Sequence, residues 1–252
     1  MGMRQARTLL GLLGLLVAAL AAAPAVAQTA VDLQLVLAVD ASGSVNQYRF
    51  DLQKQGYAEA FRNPRVLKAI RSGIAGAIAV TVTQWTGPDL QIQVVDWTVL
   101  KDEPSANAFA GAIEDTPRQL FSGGTSISGA IDHGVTLLLN SARTYPGARR
   151  TIDVSGDGAN NRGRSAHLAR DDAVRSGITI NGLPILALEP GLDRYYYDNV
   201  IGGPGAFMIT AQTYEAFAEA VLKKLITEIA ARPPSEGPAA ARMKRSEIQP
   251  HH

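Results

Sequence analysis

"LVLAVDASGSVNQYRF" spans Leu35–Phe50, and its reading decides the fold. Five apolar residues run into an acid, Asp40, and two hydroxyls follow at alternate positions, Ser42 and Ser44, around Gly43. With the residues before it, "VDLQLVLAV" (Val31–Val39) reads as a buried strand, apolar and β-branched with little polarity. Gly43 is expected to let the loop turn. The next segment, Gln47–Phe61, carries Phe50, Tyr57 and Phe61 on one face and reads as a helix. Oxygen donors therefore stand where a buried strand hands over to a helix.

Working outward, Asn63-Pro64 ends that helix and a shorter one follows over Arg65–Arg71. "IAVTVTQW" (Ile78–Trp85) and "LQIQVVDWTVL" (Leu90–Leu100) read as strands. Only a short turn around Gly87-Pro88-Asp89 separates them, which forces an antiparallel hairpin. Pro104 opens a helix reaching about Glu114. "FSGGTSISGAIDHGVTLLLNSA" (Phe121–Ala142) is a glycine-rich loop leading into a helix whose buried face holds Ile127, Ile131, Gly134 and Leu138. "RRTIDVSGDGANN" (Arg149–Asn161) is a strand running into a second polar glycine loop. A helix over Ser165–Ser176 and a strand over Ile178–Leu188 come next. A loop with Tyr195, Tyr196 and Tyr197 leads to a short sixth strand, Gly205–Thr210. The final helix, from about Thr213 to Ala230, has Phe217, Val221, Leu225 and Ile229 as its core stripe. Strands alternating with helices, with one hairpin, describe a three-layer α/β sandwich. Its central sheet has about six strands, mostly parallel with one antiparallel, and helices cover both faces.

The two ends of the 252-residue chain read differently from this body. Arg4 and Arg7, the apolar run Leu9–Ala23 and the small residues Ala25-Val26-Ala27 form the pattern of a signal peptide, residues 1–27. The mature chain is expected to start at Gln28, to be periplasmic or secreted, and to keep no stable membrane span. Residues 28–231 form one domain. Residues 232–252, with prolines, charges and no periodicity, are expected to be a disordered tail. Of 24 Lys and Arg, removal of Arg4 and Arg7 leaves 22 against 23 Asp and Glu, a net charge of −1. That balance gives no reason to expect nucleic acid as a partner. The chain has no cysteine, so an exported domain of this size relies on its core alone.

In such sheets ligands bind beyond the carboxyl ends of the strands, near a switch in strand order. Asp40, Ser42 and Ser44 stand on one such loop, Asp157 on another, and Thr125 on the glycine-rich loop that opens a helix. All five are hard oxygen donors. None is an imidazole or a thiol, so zinc and copper fit poorly, and Mg²⁺, Mn²⁺ or Ca²⁺ fit well, with Mg²⁺ placed first. Two carboxylates balance a divalent charge, and neutral hydroxyls leave the ion electrophilic and open to an outside ligand. His133 and His167 are isolated and read as filler, and Trp85 and Trp97 read as core. The tyrosine run reads as packing in a loop, with a partner-facing surface as the alternative.

From about Val31 to Ala230 the chain resembles a von Willebrand factor type A domain. "DASGS" (Asp40–Ser44) is similar to that family's Asp-x-Ser-x-Ser motif, "GGTSISGAI" (Gly123–Ile131) to its second loop, and "VSGDGANN" (Val154–Asn161) to its third. The resemblance implies a metal-ion-dependent adhesion site, with Thr125 as hydroxyl ligand and Asp157 as third-loop acid. More narrowly, "GGTSISGA", "IDVSGDGANN", "ITINGLPI" and "VIGGPGAF" resemble a branch of exported bacterial proteins of unknown function. Where many members have Ser-Asp-Gly, this chain has Ser155-Gly156-Asp157-Gly158, so Asp153 stands as the alternative acid to the preferred Asp157. The function implied is a non-enzymatic binding module whose ion takes an Asp or Glu from a protein partner. Alternatives are a phosphohydrolase with Asp40 as nucleophile, which expects an acid where Ser42 stands, and a scaffold with an empty site.

Overall fold

The computed structural model describes residues 28–146 and 148–231. The expected signal peptide (1–27) and tail (232–252) lie outside the described residues. Among the described residues five strands form one sheet in the order β3-β2-β1-β4-β5: β1 (Leu33–Asp40), β2 (Ile78–Trp85), β3 (Gln91–Leu100), β4 (Arg149–Gly156) and β5 (Thr179–Pro184). β1 pairs in parallel with both β2 and β4, and β4 with β5. β3 runs antiparallel on the edge beside β2, as the short turn requires.

Among the described residues seven helices cover the two faces: α1 (Gln47–Arg62), α2 (Pro64–Arg71), α3 (Glu103–Asp115), α4 (Ile127–Ser141), α5 (Ala166–Arg175), α6 (Leu192–Asn199) and α7 (Phe217–Ala230). Their starts are written locally. Asn46 accepts from the Arg49 amide at 2.9 Å to cap α1, and Asn63 caps α2 with Pro64 at its first turn. Asp102 and Ser105 close a reciprocal capping box on α3.

Alternation along β1 divides the core. Leu33, Leu35, Leu37 and Val39 pack with α1, α2, α3 and α7, while Val36 and Ala38 pack with α4, α5 and α6. Both faces of β1 and β2 are covered, which is why these strands read as nearly continuous apolar runs. The expected helix stripes are all buried: Phe50, Tyr57 and Phe61 in α1, Ile127, Ile131 and Leu138 in α4, and Phe217, Val221, Leu225 and Ile229 in α7.

Three expectations are corrected. The sixth strand, Gly205–Thr210, follows β5 in parallel only through isolated bridges, Gly182 to Met208 and Ile185 to Ala211. Pro184 has no amide to donate, and the Phe207 amide donates to the Asn181 side chain instead of to a backbone carbonyl, so no regular ladder forms. The tyrosine run belongs to α6 and not to a loop. There Tyr196 is fully buried, Tyr195 is half-buried and Tyr197 is 66% exposed, so the run does not present all three rings at a surface. Finally, α7 starts at Phe217, not Thr213; the residues before it make a turn in which the Phe217 amide donates to Tyr214 O. Trp85 is core, and Trp97 is half-buried against Tyr145.

Candidate metal centre

The chain leaves β1 for β2 on one side and returns to β4 on the other, so the carboxyl ends of β1 and β4 flank the switch point. Asp40 is the last residue of β1. Its Oδ1 accepts the Ser42 amide at 2.7 Å, folding the loop back on itself, and the Val45 amide closes the turn on Ser42 O. Gly43 is not what permits this turn: its φ is not positive, and an added Cβ would meet nothing within 4 Å. The aspartate side chain does so instead.

Asp157 follows β4. Ser44 Oγ donates to Asp157 Oδ1 at 2.6 Å and lies 3.1 Å from Ser42 Oγ, so four of the expected residues form one connected group. The Asp157 amide reaches toward Asp40 Oδ2 at 3.4 Å. Gly156 is required here, because a Cβ would stand 2.9 Å from Asp40 Oδ2 and 3.0 Å from the Tyr196 hydroxyl. Asp153, the alternative acid, is turned to the α7 face and pairs with Lys224. Strand alternation explains this: Asp153 pairs with Leu37 in register and shares its face, whereas Asp157 lies past the end of the strand.

Thr125 is brought in by stitching between the second and third loops. Its amide donates to Asn161 Oδ1 at 2.9 Å, and its carbonyl accepts the amides of Asn161 and Arg162. Its hydroxyl lies 3.9 Å from where a Cβ on Gly158 would stand, next to Asp157. Asn160 accepts the Ser128 amide at the start of α4. Asn160 and Asn161 hold the loops together by side-chain bonds, a role that only the pair "NN" beside a polar glycine loop hinted at.

Tyr214 carries no signal in the sequence. Its hydroxyl donates to Asp157 Oδ2 at 2.7 Å from the turn before α7, and it is buried. Arg49 lies over the Tyr214 ring and donates to Ser44 O, and Arg118 donates to Ala41 O and Ser42 O. Both arginines thus serve carbonyls, and among the described residues neither carboxylate of the pair forms an ion pair with a basic side chain. Burial, followed by the charge of Asp157, pushes the Asp40 carboxyl up to about 7. Burial and Asp157 also raise Tyr214, which stays a neutral donor. Tyr214→Phe should remove a charge-assisted bond and lower stability by about 1–2 kcal/mol. Urea unfolding in chelator reads this out; an unchanged midpoint would mean the hydroxyl is idle.

Among the described residues no three His, Cys, Asp or Glu side chains gather to hold a metal. The donors here are two buried carboxylates with hydroxyls around them, a set that suits a hard divalent ion and leaves room for an outside ligand. Beside it opens a cleft of ≈ 470 Å³ lined by Asn46, Tyr48, Arg49, Leu186, Tyr214 and Glu215 among others.

A family model described as "Protein of unknown function (DUF1194)" matches residues 30–233. The chain belongs to this family. No curated protein matches it. Among solved structures, the chain is similar to proximal thread matrix protein 1 from the mussel byssus, with TM-score 0.53 and 16% identity over 81% of this chain and 48% of that one. A further structure of that protein has a zinc-occupied MIDAS motif. It is also similar to a von Willebrand factor type A protein from Catenulispora acidiphila, with TM-score 0.55 and 14% identity over 81% of this chain and 43% of that one. A third is the manganese-loaded TRAP protein of Plasmodium vivax, with TM-score 0.51 and 17% identity over 80% and 74%. The chain spans less than half the length of the first two. At these identities the likeness establishes the fold, that of a von Willebrand factor type A domain. Among the described residues no helix is long and apolar enough to cross a membrane.

Proposed function

We propose that this DUF1194 protein is an exported, divalent-metal-dependent protein-binding module. Asp40, Ser42, Ser44, Thr125 and Asp157 hold the ion, Mg²⁺ in the first place with Mn²⁺ or Ca²⁺ as alternatives, and a partner supplies an Asp or Glu. The ion would supply a positive centre with an open position for that carboxylate. One observation carries the reading: two buried carboxylates from different loops are joined through Ser44, and among the described residues neither forms an ion pair with a basic side chain. Side by side in a low-dielectric setting they repel, and a divalent cation relieves that repulsion.

The protein's own part is positioning. Ser42 N and Asp157 N orient Asp40, while Ser44 and Tyr214 orient Asp157. Asn161 fixes the second loop against the third. The presence of zinc- and manganese-loaded proteins among the structural neighbours supports a divalent ion. No general base is assigned, and the reading is non-enzymatic.

The immobilised chain should capture an envelope protein in Mg²⁺ or Mn²⁺, release it in chelator, and recapture it on re-addition. Asp157→Ala should not capture it, with circular dichroism intact. Capture that survives excess chelator would overturn the metal bridge; turnover of a phosphate ester under the same conditions would favour the phosphohydrolase.

A further inference from the structure

A second polar group, made by residues other than those of the candidate metal centre, lies sealed between the sheet and α7. Lys224 Nζ is 2.7 Å from Asp153 Oδ2 and 3.5 Å from Glu228 Oε1, one helical turn further along. All three side chains are 1% exposed or less. From β5, Asn181 Nδ2 donates to Glu228 Oε1 at 2.6 Å. The Phe207 ring lies 5.3 Å from Nζ. The nearby cation, Arg149, is spent on the carbonyls of Glu228 and Ile229, and Tyr57 from α1 turns its hydroxyl to Ser155 Oγ.

Close approach here does not bring good hydrogen bonds. Lys224 Nζ, both oxygens of Asp153 and Glu228 Oε2 are buried and make no well-directed hydrogen bond with any described group. Held as ions, one ammonium and two carboxylates also leave a net charge of −1 in an apolar layer, which is costly. A secondary amide would need far less: one N–H, one carbonyl and no charge.

We propose that Lys224 and Asp153 condense into an intramolecular isopeptide bond that ties β4 to α7, with Glu228 carrying the protons. The ammonium first passes a proton to a carboxylate, leaving a neutral amine beside a neutral Asp153 acid. Nζ attacks Asp153 Cγ and the N–C bond forms. Glu228 takes a proton from the nitrogen and delivers it to the departing hydroxyl as the Cγ–O bond breaks. One water leaves, Glu228 is regenerated, and nothing is oxidised or reduced. Burial raises the Asp153 carboxyl against the opposing pull of Lys224, which keeps the acid form available. Fixing the two groups in contact replaces the activation that a free acid and amine need in solution. Asn181 holds Glu228 in place. In a chain without cysteine, such a bond would take the part of a disulfide, closing a long loop through the last helix.

Intact mass of the denatured mature protein decides the matter. It should be one water lighter than its sequence, and peptide mapping should yield a branched peptide joining the segments that carry Asp153 and Lys224. Lys224→Met and Glu228→Gln should each restore the full mass. Should either variant fail to fold, the wild-type mass and map suffice. A wild-type chain at full sequence mass overturns the bond and leaves a buried ion group, as does a mass loss mapping elsewhere, such as ammonia lost from an N-terminal Gln28. The outcome is independent of the metal reading.

Discussion

Mg²⁺ at a hundred times its dissociation constant should stabilise the metal-free protein by about 2.7 kcal/mol. For a domain of this size that raises the unfolding midpoint by about 5–11 °C, at about 2–4 °C per kcal/mol. On the proposed reading the ion would bind the folded site alone, because Asp40, Thr125 and Asp157 come from three loops that meet only after the sheet forms. Asp40→Asn is the informative variant. It keeps an acceptor for the Ser42 amide, so the loop should stay folded, but it removes one of the two charges that the proposed ion would neutralise. The thermal shift should then largely vanish. If Asp40→Asn shows the wild-type shift, the ion binds elsewhere and the proposed function falls with it.

Raising the pH from 4 to 7 in chelator should destabilise the protein by about 3 kcal/mol through Asp40 alone, at about 1.4 kcal/mol for each tenfold difference in proton affinity between the folded and unfolded states. The folded state holds the Asp40 proton up to about 7, whereas the ordinary carboxyl loses it near 3.8. Across that window the folded state binds more protons, so stability falls as pH rises. The contribution is full below the ordinary value and gone once pH has passed about 7. Exposed Asp172 and Glu114 are held low by Arg164 and Arg62, and their pairs act in the opposite sense at the acid end. The measurement is therefore the difference between wild type and Asp40→Asn in urea midpoints across the range, in which groups that do not interact with Asp40 cancel and its coupled neighbour Asp157 is read together with it. Saturating Mg²⁺ should reverse the trend, because proton and metal compete for the same carboxylate. Identical pH profiles for the two proteins would show that Asp40 is not the buried acid described.

Much of this architecture is legible in local pattern. β1 and β2 stand out as apolar runs because both their faces are covered. The stripes of α1, α4 and α7 follow helical spacing, and the short turn at Gly87-Pro88-Asp89 dictates the antiparallel edge. The tyrosines of α6 do not read as a helix, since three aromatics in a row obey neither period and only packing singles out Tyr196 for the interior. Gly205–Thr210 looks like a strand, and what interrupts a ladder lies in its neighbour β5: Pro184 has no amide to donate, and the Asn181 side chain takes the Phe207 amide.

The sequence by itself determined the layer order and the three oxygen-bearing loops, because strand ends, caps and glycine turns are set by residues a few positions apart. Tertiary structure alone decided between the two acids flanking Ser155: the strand's period commits Asp153 to the α7 face, and the chain's exit from the sheet frees Asp157. It alone brought the Tyr214 hydroxyl to Asp157 and Lys224 to Asp153. Each of these contacts joins residues far apart along the chain, where no periodicity links one to the other, and each exists only because α7 is pressed against the sheet by the apolar stripe it buries.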